Sequence, residues 1–76
     1  MNNARRAELD KAYALISEAQ GIIEAVRDEE QDAYDNLGEN FQNGERGEKM
    51  VAAIDALEEA CDACEGIGVS ITTAKE

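Results

Sequence analysis

The chain contains no histidine, no proline and no tryptophan, and only three aromatic residues. Without histidine it cannot form a Ser-His-Asp triad, a Glu-x-x-His metal site or a histidine acid–base pair. It contains no run of 18 apolar residues, and residues 1–6 lead into no signal-peptide core. With two cysteines and no targeting segment, we expect the protein in a reducing cytoplasm and not in a membrane.

Large apolar residues are scarce as well. Of the 76 residues 13 are alanine, while leucine, isoleucine, valine and phenylalanine together account for 14. The formal net charge of −11 argues against general binding to DNA or RNA. Because a single core of this composition is thin for a chain of this size, we expect homo-oligomerisation.

Apolar residues recur at spacings of three and four in two long segments, which is the pattern of core-facing helices. The first segment, with Asn3 as N-cap, predicts a helix over residues 4–37, and the second predicts a helix over residues 45–72. Residues 38–44, rich in glycine and asparagine, predict the turn between them. The first stripe is Leu9, Ala12, Ile16, Ala19, Ile23, Val26, Glu30, Ala33 and Leu37, widened by Leu15 and Ile22. The second stripe is Gly47, Met50, Ile54, Leu57, Cys61, Cys64, Gly68 and Ile71.

The chain is therefore predicted to be one all-α domain over residues 1–76, an antiparallel helical hairpin. Two helices cover only one face of each other, so a dimer or larger assembly is expected to complete a four-helix or larger bundle with coiled-coil-like packing. The expected oligomer core is Leu9, Ile16, Ile23, Val26, Met50, Ile54, Leu57 and Cys61.

The charge distribution also favours an antiparallel hairpin. Residues 28–39 carry a net charge of −6 near the end of the first helix, and Arg5 and Arg6 lie at its start. Both placements oppose the dipole of their own helix. Antiparallel pairing sets the acids beside the positive start of the second helix and the arginines beside its negative end. Glu45 and Lys49 are spaced to form an i,i+4 ion pair.

Two patterns suggest metal sites and are better explained otherwise. Cys61 and Cys64 open the string Cys-x-x-Cys-x-Gly-x-Gly, found in zinc repeats of some chaperones, but zinc needs four ligands and the chain supplies two. Two chains would have to donate two ligands each, and both cysteines lie on the apolar stripe, where they act as small core residues. Residues 28–39 place acids at positions 1, 3, 5 and 12 of a calcium loop, but Ala33 replaces the required glycine. No metal and no cofactor are predicted.

No arrangement of nucleophile and base is present, so we expect no enzymatic activity. Glu30 interrupts the apolar stripe; it is expected to pair with a basic residue across the bundle or to face a wet cavity. A charge at such a position more often sets helix pairing than performs chemistry.

The turn and the start of the second helix carry the one cluster of aromatic and basic residues. A helix start favours anions, because its backbone N–H groups and its dipole point at the ligand. An aromatic ring to stack on a base and an arginine for a phosphate would complete a small-nucleotide pocket. The candidate ligand-binding residues are Tyr34, Phe41, Arg46 and Lys49. Alternatively, the two rings cover the end of the hairpin and the two cations neutralise nearby acids.

Residues 27–37 read Arg-Asp-Glu-Glu-Gln-Asp-Ala-Tyr-Asp-Asn-Leu, and residues 44–50 read Gly-Glu-Arg-Gly-Glu-Lys-Met. This pair of motifs resembles small acidic proteins of tailed phages and prophages, over about residues 20–65. Members of that family often have a proline near position 38 and aliphatic residues near positions 61 and 64, where this chain has Gly38, Cys61 and Cys64. The departure further weakens a zinc site.

The resemblance implies a role in counter-defence inside the host cytoplasm, for which two functions are expected. One is an oligomeric sponge that sequesters a nucleotide immune signal, such as a cyclic dinucleotide or a cyclic ADP-ribose isomer. The other is an acidic decoy that mimics nucleic acid and binds a host defence protein directly. A structural or assembly helper remains a third interpretation. The decoy surface would comprise Asp28, Glu29, Asp32, Asp35, Glu58, Glu59, Asp62 and Glu65.

Overall fold

Three helices follow one another along the chain in the computed structural model, which describes residues 1–76. Helix α1 spans Asn3–Asp35, the one-turn helix α2 spans Glu39–Gln42, and helix α3 spans Glu45–Ala74. Helices account for 88% of the residues and there is no strand, so the expected all-α, helix–turn–helix fold is confirmed. None of the helices combines the length and the apolarity that crossing a membrane requires.

The helices α1 and α3 pack antiparallel in a rod of 58 × 14 × 12 Å. At the open end, Arg6 Nε donates a hydrogen bond to the carbonyl oxygen of Lys75 at 2.8 Å, and Lys75 Nζ pairs with the carboxylate of Asp10. An arginine of α1 thus lies at the negative end of α3, as the charge distribution predicts. At the other end, Lys49 Nζ lies 3.2 Å from Glu45 Oε1, which is the expected i,i+4 pair.

The helix boundaries differ from the predicted ones by one or two residues. The N-cap of α1 is Asn2 and not Asn3, because Asn2 has an extended backbone and its side chain accepts the N–H of Arg5 at 2.8 Å. The helix ends at Asp35, after which the hydrogen bonding changes to a spacing of three residues, with the N–H of Leu37 donating to the carbonyl of Tyr34 at 3.1 Å. The predicted turn at 38–44 contains the single helical turn α2, and α3 continues to Ala74.

The interface between α1 and α3, called the seam below, is formed largely by half-buried residues. Only Gly47, Ile54 and Cys61 are buried. Both predicted stripes lie on the seam except at four positions of α1, of which two are Leu15 and Ile22, the residues expected to widen the first stripe, which are exposed. After Ile23 the helical period brings Arg27 and Tyr34 to the seam, and Val26 and Ala33 are exposed. Arg27 suits this position because its aliphatic stem packs while its guanidinium reaches solvent.

The turn approaches the backbone of α3 very closely at Gly47. A Cβ atom at this position would lie 2.1 Å from the carbonyl oxygen of Gln42, far inside van der Waals contact. The side chain of Gln42 also bonds across the turn, since its Nε2 donates to the carbonyl oxygen of Tyr34 at 2.9 Å. Gly47 and Gln42 together fix where α3 starts relative to the end of α1.

We therefore expect Gly47→Ala to lower the free energy of unfolding by about 1–3 kcal/mol, because backbone must move to admit the methyl group. Gly66→Ala is the matched control, since nothing lies within 4 Å of the Cβ it would add. This control should raise the free energy of unfolding by about 0.5–1 kcal/mol through helix propensity. Urea denaturation followed by circular dichroism at equal chain concentrations measures both. Equal effects of the two substitutions would contradict the role given to Gly47.

Candidate functional site at the helix turn

The turn is held by short-range backbone hydrogen bonds around α2. The N–H groups of Phe41 and Gln42 both donate to the carbonyl of Gly38, at 2.9 and 3.0 Å, and the N–H of Gly44 donates to Phe41 at 3.2 Å. Gly44 then takes an extended conformation and becomes the N-cap of α3. It has no side chain with which to cap the helix, in contrast to Asn2 on α1. The first turn of α3 therefore starts without a side-chain acceptor for its N–H groups.

The structure brings all four candidate ligand-binding residues to this end of the rod, in different environments. Tyr34 is half-buried on the last turn of α1, while Phe41 on α2 has 60% of its surface exposed. Arg46 and Lys49 are exposed on the first turns of α3. The turn thus presents one open aromatic ring and two cations beside a helix start, and these groups are chemically compatible with an anion that also carries a flat ring.

The two cations of the turn differ in their ion pairing. Lys49 pairs with Glu45, but both side chains are more than three-quarters exposed, so the pair holds the lysine weakly. Arg46 takes part in none of the four ion pairs of the structure and in no side-chain hydrogen bond. Because a guanidinium offers paired donors for phosphate oxygens, Arg46 is the residue of the turn best suited to bind an anion.

Two hollows of the surface lie away from the turn. One, of about 530 Å³, lies beside residues 1–9. The other is a groove of about 470 Å³ along the open half of the hairpin, between Tyr13 and Gln20 of α1 and Gly68 and Thr72 of α3. A Cβ atom at Gly68 would lie 3.2 Å from Cε2 of Tyr13, so this glycine makes room for the ring. The groove was not predicted, because its hydroxyl and amide groups come from both helices without a sequence motif.

All eight residues of the expected decoy surface are exposed, and five of them share one side of the rod. Glu65 lines the groove together with Ser17. On α3, Asp62 and Glu58 precede Glu65 by three and seven residues and so lie on the same side of the helix. On α1, Asp28 and Asp35 follow Ser17 by 11 and 18 residues and so lie on the same side as Ser17. This surface, the acidic flank, consists of Asp28, Asp35, Glu58, Asp62 and Glu65. Helical spacing directs Glu29, Asp32 and Glu59 away from it.

The residues expected in the oligomer core lie mostly within one chain. Seven of the eight are buried or half-buried on the seam, and Val26 alone is exposed. The seam is therefore filled by the hairpin itself, so an assembly needs another surface. Glu30 is half-buried at the seam and takes part in none of the four ion pairs.

The two cysteines are free thiols in different surroundings. Cys61 is 5% exposed and Cys64 is half-buried. Burial raises the pKa of the Cys61 thiol, and the nearby Arg27 guanidinium only partly opposes this. The hydrogen bond from Arg27 to Asp28, 3.1 Å from Nη2 to Oδ1, raises the pKa of the guanidinium. No group of three or more cysteine and carboxylate side chains is placed to hold a metal ion.

Comparison of the chain with family models, with curated proteins and with solved structures finds no match.

The thiolate is the reactive form of cysteine, so the burial and raised pKa of Cys61 predict slow alkylation. With Cys64→Ala reporting on Cys61 and Cys61→Ala reporting on Cys64, we expect iodoacetamide to modify Cys64 at least about tenfold faster near neutral pH. The rate at Cys61 should rise as the pH approaches its raised pKa. Intact-protein mass spectrometry gives both rates, and in urea they should converge. Equal rates in the native protein would show that Cys61 is not shielded.

Proposed function

We propose that this chain is a non-enzymatic protein of the kind that tailed phages use against host defences, and that it sequesters a small nucleotide signal at its helix turn. The observation that carries the proposal is the meeting of three features at one end of the rod. They are an uncapped start of α3, an Arg46 without an ion-pair partner, and an exposed Phe41 ring. A cyclic dinucleotide or a cyclic ADP-ribose isomer offers the matching groups, which are phosphates and flat bases.

Each group at the turn has a distinct part in this proposal. The helix start and Arg46 hold a phosphate by backbone N–H groups and by paired charge-assisted bonds. The Phe41 ring stacks on a base, and Tyr34, on the last turn of α1, supports the aromatic part of the site. Lys49 adds a second positive charge once it leaves its exposed pair with Glu45. The turn is open to solvent, so a second hairpin is needed to enclose the ligand, and the protein acts as an oligomer in the host cytoplasm.

A sponge predicts that its ligand raises the melting temperature by mass action on the folded state. We expect a shift of several degrees with one cyclic dinucleotide or cyclic ADP-ribose isomer in a thermal-shift screen, and no shift with NAD or zinc. Arg46→Ala should abolish this shift. Arg46→Lys should retain part of it, because lysine keeps the positive charge but lacks the paired N–H donors of the guanidinium.

The matched control is Ala14→Glu, which makes the same change of one unit in net charge on the exposed back of α1. It should leave the ligand-induced shift intact. A shift that survives Arg46→Ala, or that is lost equally in both variants, would exclude the turn as the site.

The acidic flank supports a second candidate function, a decoy that mimics nucleic acid. Its carboxylates lie along one side of the rod, and none of the five takes part in an ion pair with another helix. A regular line of negative charge is what a basic nucleic-acid-binding surface recognises first.

For a decoy, binding to a host defence protein should weaken steeply as salt is added. The triple variant Glu58→Gln, Asp62→Asn, Glu65→Gln should release the partner at lower salt than the wild-type chain in a pull-down. The control triple Glu8→Gln, Glu18→Gln, Glu76→Gln makes the same charge change away from the flank. Equal retention of the two triples at every salt concentration would rule out the flank as the contact.

A further inference from the structure

The side of the rod opposite the acidic flank is apolar along both helices. On α1 this surface, the apolar flank, consists of Leu15, Ile22 and Val26, spaced by seven and four residues. On α3 it consists of Ala56, Ala63 and Ile67, with the same spacing. Successive members therefore lie above one another on one side of each helix. Between the first and last residue of each series, no charged residue lies on this side of the helix. The positions between the flank and the seam are filled by Ala12, Ala19, Ala53 and Ala60.

The large side chains of this flank are left in water by the single chain. Leu15 is 66% exposed, Ile22 59%, Val26 47% and Ile67 44%. Together they are a large share of the few large aliphatic residues that the chain has. Removing these side chains from water would stabilise a chain that has few other large apolar residues to bury.

The apolar flank is large enough to be the centre of an interface. Residues 15–26 and 56–67 each rise about 18 Å along helices whose axes lie about 10 Å apart, which gives about 360 Å² per copy over a width of about 20 Å. Two such surfaces bury about 700 Å² in total, so a specific interface of about 1,000 Å² also includes polar residues beyond the two ends of the flank.

We propose that the apolar flank binds the apolar flank of a second copy, with the two hairpins antiparallel and their turns at opposite ends. Two-fold symmetry then sets α1 on α1 and α3 on α3. With the axis midway between Leu15 and Val26, Leu15 of one copy faces Val26 of the other, and Ile22 faces Ala19. Large side chains thus meet smaller ones, as close packing requires.

Charge decides between this orientation and the one with both turns at the same end. Residues 28–39 carry a net charge of −6, so turns placed together would repel each other. Residues 1–11 carry Arg5, Arg6 and Lys11 against Glu8 and Asp10, a net charge of +1. The antiparallel arrangement places this segment of each copy against the acidic segment of the other.

One specific pair follows from the same axis. Lys11 and Glu29 both point to the outer edge of the apolar flank and lie about nine residues to either side of the axis, so their long side chains can meet across the interface. In the single chain Lys11 pairs only with Glu8, and both side chains are more than 70% exposed. Lys11 is therefore free to exchange that weak pair for Glu29 of the second copy.

Sedimentation equilibrium tests the docking with two matched substitutions. Leu15 and Val69 are almost equally exposed, at 66% and 67%, and Val69 borders the groove on the acidic side. We expect the wild-type chain to be a dimer, Leu15→Glu to raise the dissociation constant by about 100-fold or more, and Val69→Glu to leave it within about threefold. A monomeric wild-type chain at about 100 μM, or equal effects of the two variants, would overturn the proposal.

Charge reversal tests the orientation and does not depend on the Leu15 variant. Lys11→Glu and Glu29→Lys should each weaken the dimer at low salt, and the double variant should recover most of the wild-type association. Circular dichroism confirms that each variant keeps its helices. Failure of the double variant to recover association, with the singles weakened, would overturn the antiparallel arrangement. None of these substitutions touches the turn, so the outcome is separate from that of the nucleotide screen.

Discussion

The contact between Gly47 and the carbonyl of Gln42 determines how the rest of the molecule is arranged. It brings the start of α3 against the turn so closely that only a glycine fits. The bond from Gln42 to Tyr34 ties the same turn to the last residues of α1. With both ends of the turn fixed, the register of α3 against α1 follows along the whole seam, up to the bond between Arg6 and Lys75 at the open end.

The seam that results leaves the hairpin incompletely buried. Ile54 and Cys61 are its only buried hydrophobic side chains, while Leu15 and Ile22 remain in water. The distribution of polar residues makes the two sides of the seam unequal. The acidic flank is suited to solvent or to a basic partner, whereas exposure of the apolar flank to water is thermodynamically unfavourable.

The helices were predictable from the sequence because their apolar period is regular and no proline interrupts them. The register of the first stripe was predictable only to Ile23, since a spacing of three or four fits equally well at the next step and Arg27 does not look apolar. The predicted oligomer core was drawn from the same stripes, and the structure uses those residues within the chain. The apolar flank was present in the sequence as a second series, Leu15, Ile22 and Val26, and pairing it with Ala56, Ala63 and Ile67 required knowing how the helices face each other.

The candidate site was predictable as a set of residue types at a helix start, and its surroundings were not. The structure shows that Phe41 is open and that Arg46 has no ion-pair partner, neither of which follows from spacing. In the proposed antiparallel dimer, the start of α1 of one copy lies beside the turn of the other. Arg5, whose side chain makes no hydrogen bond or ion pair within its own chain, would then add positive charge beside Arg46. In that arrangement the turn of one hairpin and the start of α1 of the other would both supply cations to the site, which neither hairpin concentrates alone. The proposed dimer therefore favours the binding of an anionic ligand at the turn over the decoy function.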